Sequence, residues 1–308
     1  MPMLEQNKKL RVLILGGRGF VGRAICSKLK KHLIFTFDRH TGRKNHFQGN
    51  INSLSDLKKA IRSMDCVINI IGLSPLRKPT GTTYYEAHVR GVKNVLKVCK
   101  ELEIKRLVHM SILWANKKST IEFTRTKGLG EELVIKSDIN STIFCPSIIY
   151  DKENEFVRMV SKTAFTFGFP NIPAKIQPIY REDIDKLFSF AVEGKIKEKK
   201  LEVGGPDVMT IFQFVKKIYN KKGFPCIPIP LIFIKTGMGV ASWLNLFGIT
   251  KDQIKSLYID NITKSNMAKK YVQLTKFDRW LNRIFLWEKV WIKMEKLKLK
   301  ILYDTFSR

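Results

Sequence analysis

Three glycines, Gly16, Gly19 and Gly22, stand in G-x-x-G-x-x-G spacing within RVLILGGRGFVGRAICSKL. Glycine lets a backbone turn sharply and come close to a pyrophosphate, and the free N–H groups of a helix start face the anion. Phe20 and Val21 belong to the same turn and count among the candidate contacts. Asp38 stands about twenty residues further on, where an acid binds the adenosine ribose hydroxyls of NAD. Arg39, Arg43 and Lys44 crowd the same loop. Together they suit a 2′-phosphate; a solvated basic turn would look the same. Asn50 and Ile51 follow in a position to border an adenine, and Ile71 and Gly72 close an apolar run. Ser111 and Pro146, each at the end of a later apolar run, complete the candidate dinucleotide contacts, with NADP(H) expected ahead of NAD(H).

Such side chains need strands and helices to aim them. The run Val12 to Leu15 is apolar and bounded at once by glycine, which reads as a buried strand. Val21, Ile25 and Leu29 recur every four residues and lay one apolar stripe along a helix. The spacing predicts a strand from His32 to Phe37, a helix from Leu54 to Ile61 and a strand from Cys66 to Gly72. A long helix follows from Glu86 to Leu102, and a strand from Arg106 to Met110 runs into Ser111. Another helix opens near Phe123, and Ser141 to Cys145 leads a strand into Pro146. Strand and helix alternating at short intervals mean a parallel sheet covered on both faces, with ligands past the carboxyl ends of its strands. The expected fold is α/β: a Rossmann-type doubly wound parallel sheet over 1–150 and a smaller α/β lobe over 151–282, interleaved with it. A basic amphipathic helix over 283–308 ends the chain.

Composition narrows the partners. Lys and Arg number 56 against 27 acids, a net charge of +29. Such an excess fits nucleic acid, anionic lipid or an acidic protein surface; a genome that favours lysine codons would produce it too. No basic–aromatic platform accompanies the charge, which argues against nucleic acid. The five cysteines lie far apart with no C-x-x-C pair, and the five histidines show no ligand spacing, so neither a disulfide frame nor a metal site is expected. The start, MPMLEQNKKL, has no apolar signal core, and secretion is not expected.

The glycine turn, the Asn69-x-x-Gly72 strand ending, Ser111 and Lys127 resemble an extended, atypical short-chain dehydrogenase/reductase. PIYREDIDKLFSFAVEG, LEVGGPDVMT, PCIPIPL and ITKDQIKSLYIDNIT then follow in order. Their order and wording are similar to the NAD(P)-binding accessory subunit family of respiratory complex I and its bacterial relatives. Active members of the superfamily use Tyr-x-x-x-Lys: the phenol exchanges a proton with substrate, and the lysine lowers its pKa and holds the nicotinamide ribose. Here the resemblance puts Phe123 at the tyrosine position, four before Lys127, and phenylalanine has nothing to ionise. Tyr84 and Tyr85 fall in an earlier segment, with nothing in the sequence to aim them at a cofactor. Ser111 and Lys127 are then catalytic remnants that suffice to hold a nucleotide. The resemblance implies a catalytically silent accessory or assembly subunit with a structural NAD(P)(H), partnered by complex I subunits. The alternative is an active reductase or epimerase acting on a nucleotide sugar or a quinone-like lipid.

Two segments bear on the membrane. The stretch Leu231 to Ile249 is mostly apolar, but Lys235, Asn245 and three glycines argue against a span, a mid-bilayer lysine costing roughly 3 kcal/mol. It suits a lid helix, a segment on a membrane surface, or core packing. Near the end, Trp287, Val290, Met294, Leu297 and Ile301 form a narrow apolar stripe flanked by Lys289, Lys293, Lys296 and Lys300. A lipid interface accepts such a helix, with tryptophan at the headgroups and lysines snorkelling to phosphate; so would a partner helix or the protein's own core. The expected location is the cytoplasmic face of the inner membrane, peripherally bound, or the matrix face in a mitochondrion.

Overall fold

The computed structural model describes residues 9–42, 44–74, 81–164, 168–230, 255 and 258–285. The first half alternates as its hydrophobic pattern requires. Strand β1 (Arg11–Leu15) leads through the glycine turn into α1 (Phe20–Lys28), then β2 (Leu33–Asp38), β3 (His46–Gln48) and α2 (Leu54–Ile61). Next come β4 (Cys66–Asn69), a π-helical turn (Glu86–Arg90) running into α3 (Gly91–Glu101), β5 (Arg106–Met110), α4 (Glu122–Lys136) and β6 (Ser141–Pro146). Ser53 caps α2 by accepting from the Asp56 amide, which fixes its start where a serine is preferred.

Later elements are shorter: β7 (Ile149–Tyr150), α5 (Glu155–Thr163), β8 (Gly168–Pro170), β9 (Lys175–Ile176) and β10 (Ile179–Tyr180). They continue through α6 (Arg181–Val192), β11 (Lys200–Val203), β12 (Met209–Thr210), α7 (Ile211–Lys221) and β13 (Ile227–Ile229). Seven strands make one sheet in the order β11-β6-β5-β4-β1-β2-β3, every pairing parallel. Strand order reverses between β1 and β4, the switch point at which ligands enter such sheets.

Successive β1 residues face opposite layers. Val12 and Ile14 pack with α1 and α6 through Ile25, Leu29, Ile184 and Phe188. Leu13 and Leu15 pack with α2, α3 and α4 through Leu57, Val95 and Val134. All four strand residues are fully buried, as parallel strands sandwiched by helices must be. A third core belongs to the later elements, where α5, α7 and a helical segment over 277–285 close around Tyr150, Phe214, Phe277 and Trp280. Phe214 and Phe277 stack at 4.4 Å between centroids. Asp183 on α6 accepts from the Thr275 amide at 2.7 Å and tethers the later chain to the sheet's helical layer. The chain beyond residue 150 thus returns to the sheet twice, with α6 against α1 and β11 beside β6.

Some boundaries differ from expectation. The fourth strand ends at Asn69, because Asn69 Oδ1 accepts from the Ile71 amide and turns the chain out of the ladder. The helix expected from Glu86 opens with the π turn, and β3 is too short to show a period of its own. The stretch Leu231 to Ile249, Arg43 and the stripe Trp287, Val290, Met294, Leu297 and Ile301 with its lysines lie outside the described residues.

Candidate dinucleotide site

The glycine turn joins β1 to α1 at the switch point. Gly16 takes φ +88°, a left-handed conformation open to glycine, and its N–H donates to the Phe37 carbonyl at 2.9 Å. A Cβ at Gly22 would stand 2.3 Å from the Gly16 carbonyl oxygen, so helix and turn can meet only through glycine there. Gly19 differs. It caps α1 with φ −71° and ψ 176°, and a Cβ on it would meet only the Gly16 oxygen, at 3.2 Å. Its outer face is open, which is the cradle a pyrophosphate needs at a helix start. Val21 is buried against the core, whereas Phe20 is half-buried with the Arg181 guanidinium 5.2 Å from its ring centroid.

Asp38 closes β2 beside this turn. One carboxylate oxygen accepts from the His40 amide at 2.8 Å; the other is buried with no partner among the described residues. Arg18, from inside the glycine turn, brings Nη1 within 3.7 Å of Asp38 and donates to the Thr41 carbonyl. Arg39 and Lys44 are exposed on the same loop. Arg18 escaped the sequence pattern because it fills a variable position of the glycine spacing; only the fold sets it over Asp38. Asn50 is engaged in its own turn, its side chain accepting from the Asn52 amide, and Ile51 is buried against Gly91 of α3.

The other end of the candidate site lies past β4, β5 and β6. Lys127 of α4 is 6% exposed and donates to the Met110 carbonyl at 3.3 Å. A Cβ on Gly72 would stand 3.2 Å from Lys127 Nζ and 3.8 Å from His88 Nε2, so both converge beneath that glycine. Burial pulls the Lys127 ammonium down to about 8. Ile71 packs beneath Gly16, at 3.3 Å from where a Cβ there would lie. Ser111 is buried at the end of β5 with its hydroxyl unpartnered among the described residues, and Pro146 is buried at the end of β6.

Sequence reasoning missed His88. The π turn delivers it into the site, as such turns do at functional positions. Nε2 accepts from the Leu73 amide at 3.3 Å, and Nδ1 lies 3.0 Å from the Thr126 hydroxyl, which itself donates to the Glu122 carbonyl. That chain places the proton on Nδ1. Burial first, then the charge of Lys127, hold His88 well below its ordinary pKa, and the same two causes push His109 on β5 down to about 3. Both imidazoles are therefore neutral near pH 7.

Phe123 is buried among rings: Tyr84 edge-on at 5.5 Å, His88 at 5.6 Å and Trp114 at 6.0 Å. The Tyr84 hydroxyl donates to the Ser74 carbonyl at 3.2 Å. Among the described residues, no cluster of three His, Cys, Asp or Glu side chains could hold a metal ion.

The residues fit NAD(P). The open face of Gly19, the unmet Asp38 oxygen, the unmet Ser111 hydroxyl and the Lys127 ammonium offer, along one edge of the sheet, the donors and acceptors a dinucleotide uses. Comparison with known proteins agrees, since the profile of the NAD dependent epimerase/dehydratase family matches residues 12–114. That stretch runs from β1 to just past β5 and holds the glycine turn, Asp38 and Ser111. The chain also resembles the mitochondrial NADH dehydrogenase (ubiquinone) 1 alpha subcomplex subunit 9 of Mus musculus, 23% identical over 284 residues, covering 82% of this chain and 73% of the relative. The 40 kDa subunit of mitochondrial NADH-ubiquinone oxidoreductase from Neurospora crassa is 21% identical over 273 residues, 81% of this chain and 71% of the relative. Among solved structures, the dTDP-4-dehydrorhamnose reductase of Bacillus anthracis in complex with NADP shares the fold. Its TM-score is 0.68 at 16% identity, over 91% of this chain and 99% of that one.

Proposed function

We propose that the chain is a catalytically silent, NAD(P)(H)-binding accessory subunit of NADH:ubiquinone oxidoreductase, respiratory complex I, held peripherally at the membrane surface. Phe123 carries the proposal. Four residues before Lys127 stands a ring boxed by Tyr84, His88 and Trp114, with no proton to exchange. The nucleotide then acts structurally: a ligand that binds only the folded state stabilises it by about 2.7 kcal/mol at a hundred times Kd. Likeness to the two oxidoreductase subunits supports complex I as the partner. A net charge of +29 and the tail stripe support an anionic membrane surface, each basic residue there contributing about 1 kcal/mol. Among the described residues no helix is long and apolar enough to cross a membrane. The face is the cytoplasmic one of an inner membrane, or the matrix one in a mitochondrion. NADP(H) is preferred, on the strength of Arg18 and Arg39 beside Asp38.

The test is turnover. Purified protein with NADPH and a panel of carbonyl and quinone acceptors is expected to show no ordinary dehydrogenase rate, loss of a general acid costing about 10²–10⁴-fold. One observation favours an active reductase instead: the Tyr84 phenol stands against Phe123. Robust turnover that disappears in both Tyr84→Phe and Lys127→Met would establish that enzyme and end the silent assignment.

A further inference from the structure

On the side of the later lobe, α5, α7 and the 277–285 segment enclose a cavity of 190 Å³, assembled from residues the nucleotide site does not use. Its floor is apolar, with Val157, Ile218, Ile284 and Phe285 in the wall. Its rim is cationic: Lys152, Arg158, Lys162 and Lys222 all line it, and no Asp or Glu does. All four are exposed, and none makes an ion pair among the described residues, although many other cations here do, Arg181 with Asp151 and Lys217 with Asp278 among them. Four like charges around an apolar hollow repel one another unless an anion joins them. Trp280 adds a buried indole whose N–H has no acceptor among the described residues.

We propose that this cavity binds one phosphate-headed amphiphile, with the phosphate among the four cations and the first part of its apolar chain inside. Volume and charge select that class. At 190 Å³ the hollow falls short of the about 300–1,000 Å³ of a site that swallows a whole small molecule, so most of the ligand stays outside. Clusters of four or more basic side chains recognise anionic headgroups. The chain's own tail is a poor occupant, since residues 286–308 hold six Lys and Arg against three acids. Such a ligand is independent of the nucleotide, and the inference stands whether or not the protein is a complex I subunit.

Calorimetry on the full chain tests this with dihexanoyl phosphatidylglycerol below its micelle concentration, its phosphatidylcholine counterpart, glycerol phosphate and inorganic phosphate. Saturable binding of one phosphatidylglycerol per chain is expected, with the zwitterionic lipid and the two water-soluble phosphates far weaker. The surface double variant Arg158→Gln, Lys222→Gln should weaken it about 30-fold, the sum of two basic contacts. Ser161→Leu, which fills the cavity wall, should weaken it independently of charge. Both variants should retain the NADPH affinity and melting temperature of the parent, which separates site loss from misfolding. Equal affinity for inorganic phosphate would reduce the site to a phosphate subsite and overturn the amphiphile. Heat with an acidic, phenylalanine-containing peptide and none with lipid would assign the rim to a protein partner and overturn it too, as would lipid binding that ignores both variants.

Discussion

Lys127 holds a proton against its surroundings. In the unfolded chain its ammonium titrates near 10.5, while burial in the fold brings it to about 8. Between those values the unfolded state binds the extra proton, so the group's cost to stability is full below pH 8 and is relieved as pH rises. A polyanionic nucleotide pulls the other way, because it favours the charged form. NADPH affinity is therefore expected to fall as pH rises from 7 through 9, by up to roughly tenfold per pH unit above 8. Fluorescence titration at constant ionic strength checks this; Lys127→Met should bind more weakly with a flat profile, and parallel slopes in the two proteins would refute the assignment. Arg18 sets a second expectation. If it reaches a 2′-phosphate, Arg18→Ala should lower NADPH affinity roughly tenfold or more, the worth of a charge-assisted hydrogen bond, and leave NADH nearly unchanged. An unaltered NADPH-to-NADH ratio would return the loop to Asp38 and NADH.

At the scale of elements, the strand–turn–helix corner separates folding from binding. Gly22 faces backbone, so Gly22→Ala forces a Cβ to within 2.3 Å of the Gly16 oxygen and should cost about 1–3 kcal/mol, read as a lower melting temperature of the free protein. A Cβ on Gly19 meets a single atom, the Gly16 oxygen at 3.2 Å, in an ordinary backbone conformation. Gly19→Leu should lower the free protein's melting temperature less than Gly22→Ala does and abolish nucleotide binding by filling the cradle. Unchanged NADPH affinity in that variant would place the pyrophosphate elsewhere. Much of this was legible in the sequence, because local pattern decides it: the apolar run of β1, the four-residue stripe of α1, and α2, found from Leu54 to Ile61 as its spacing and serine cap require. The π turn, the arrival of His88 beneath Gly72 and the reach of Arg18 to Asp38 were not, since each depends on contacts between segments far apart in the chain.

For the whole molecule, the chain after residue 150 sends α6 and β11 back to the parallel sheet while its other elements close an aromatic core. Local pattern carries no sign of which sheet those elements join; pairing of β11 with β6 is a matter of topology alone. The same holds for the cationic rim, whose residues come from α5, the turn before it and the end of α7 and gain meaning only when brought around one hollow. The central claim is a nucleotide carried without turnover on complex I, and isolation from the native membrane tests it directly. The chain, tagged and purified in mild detergent, should bring complex I subunits with it and about one NADP(H) per copy, measured after acid and alkaline extraction. Recovery of the chain free of complex I subunits and without nucleotide would contradict the account.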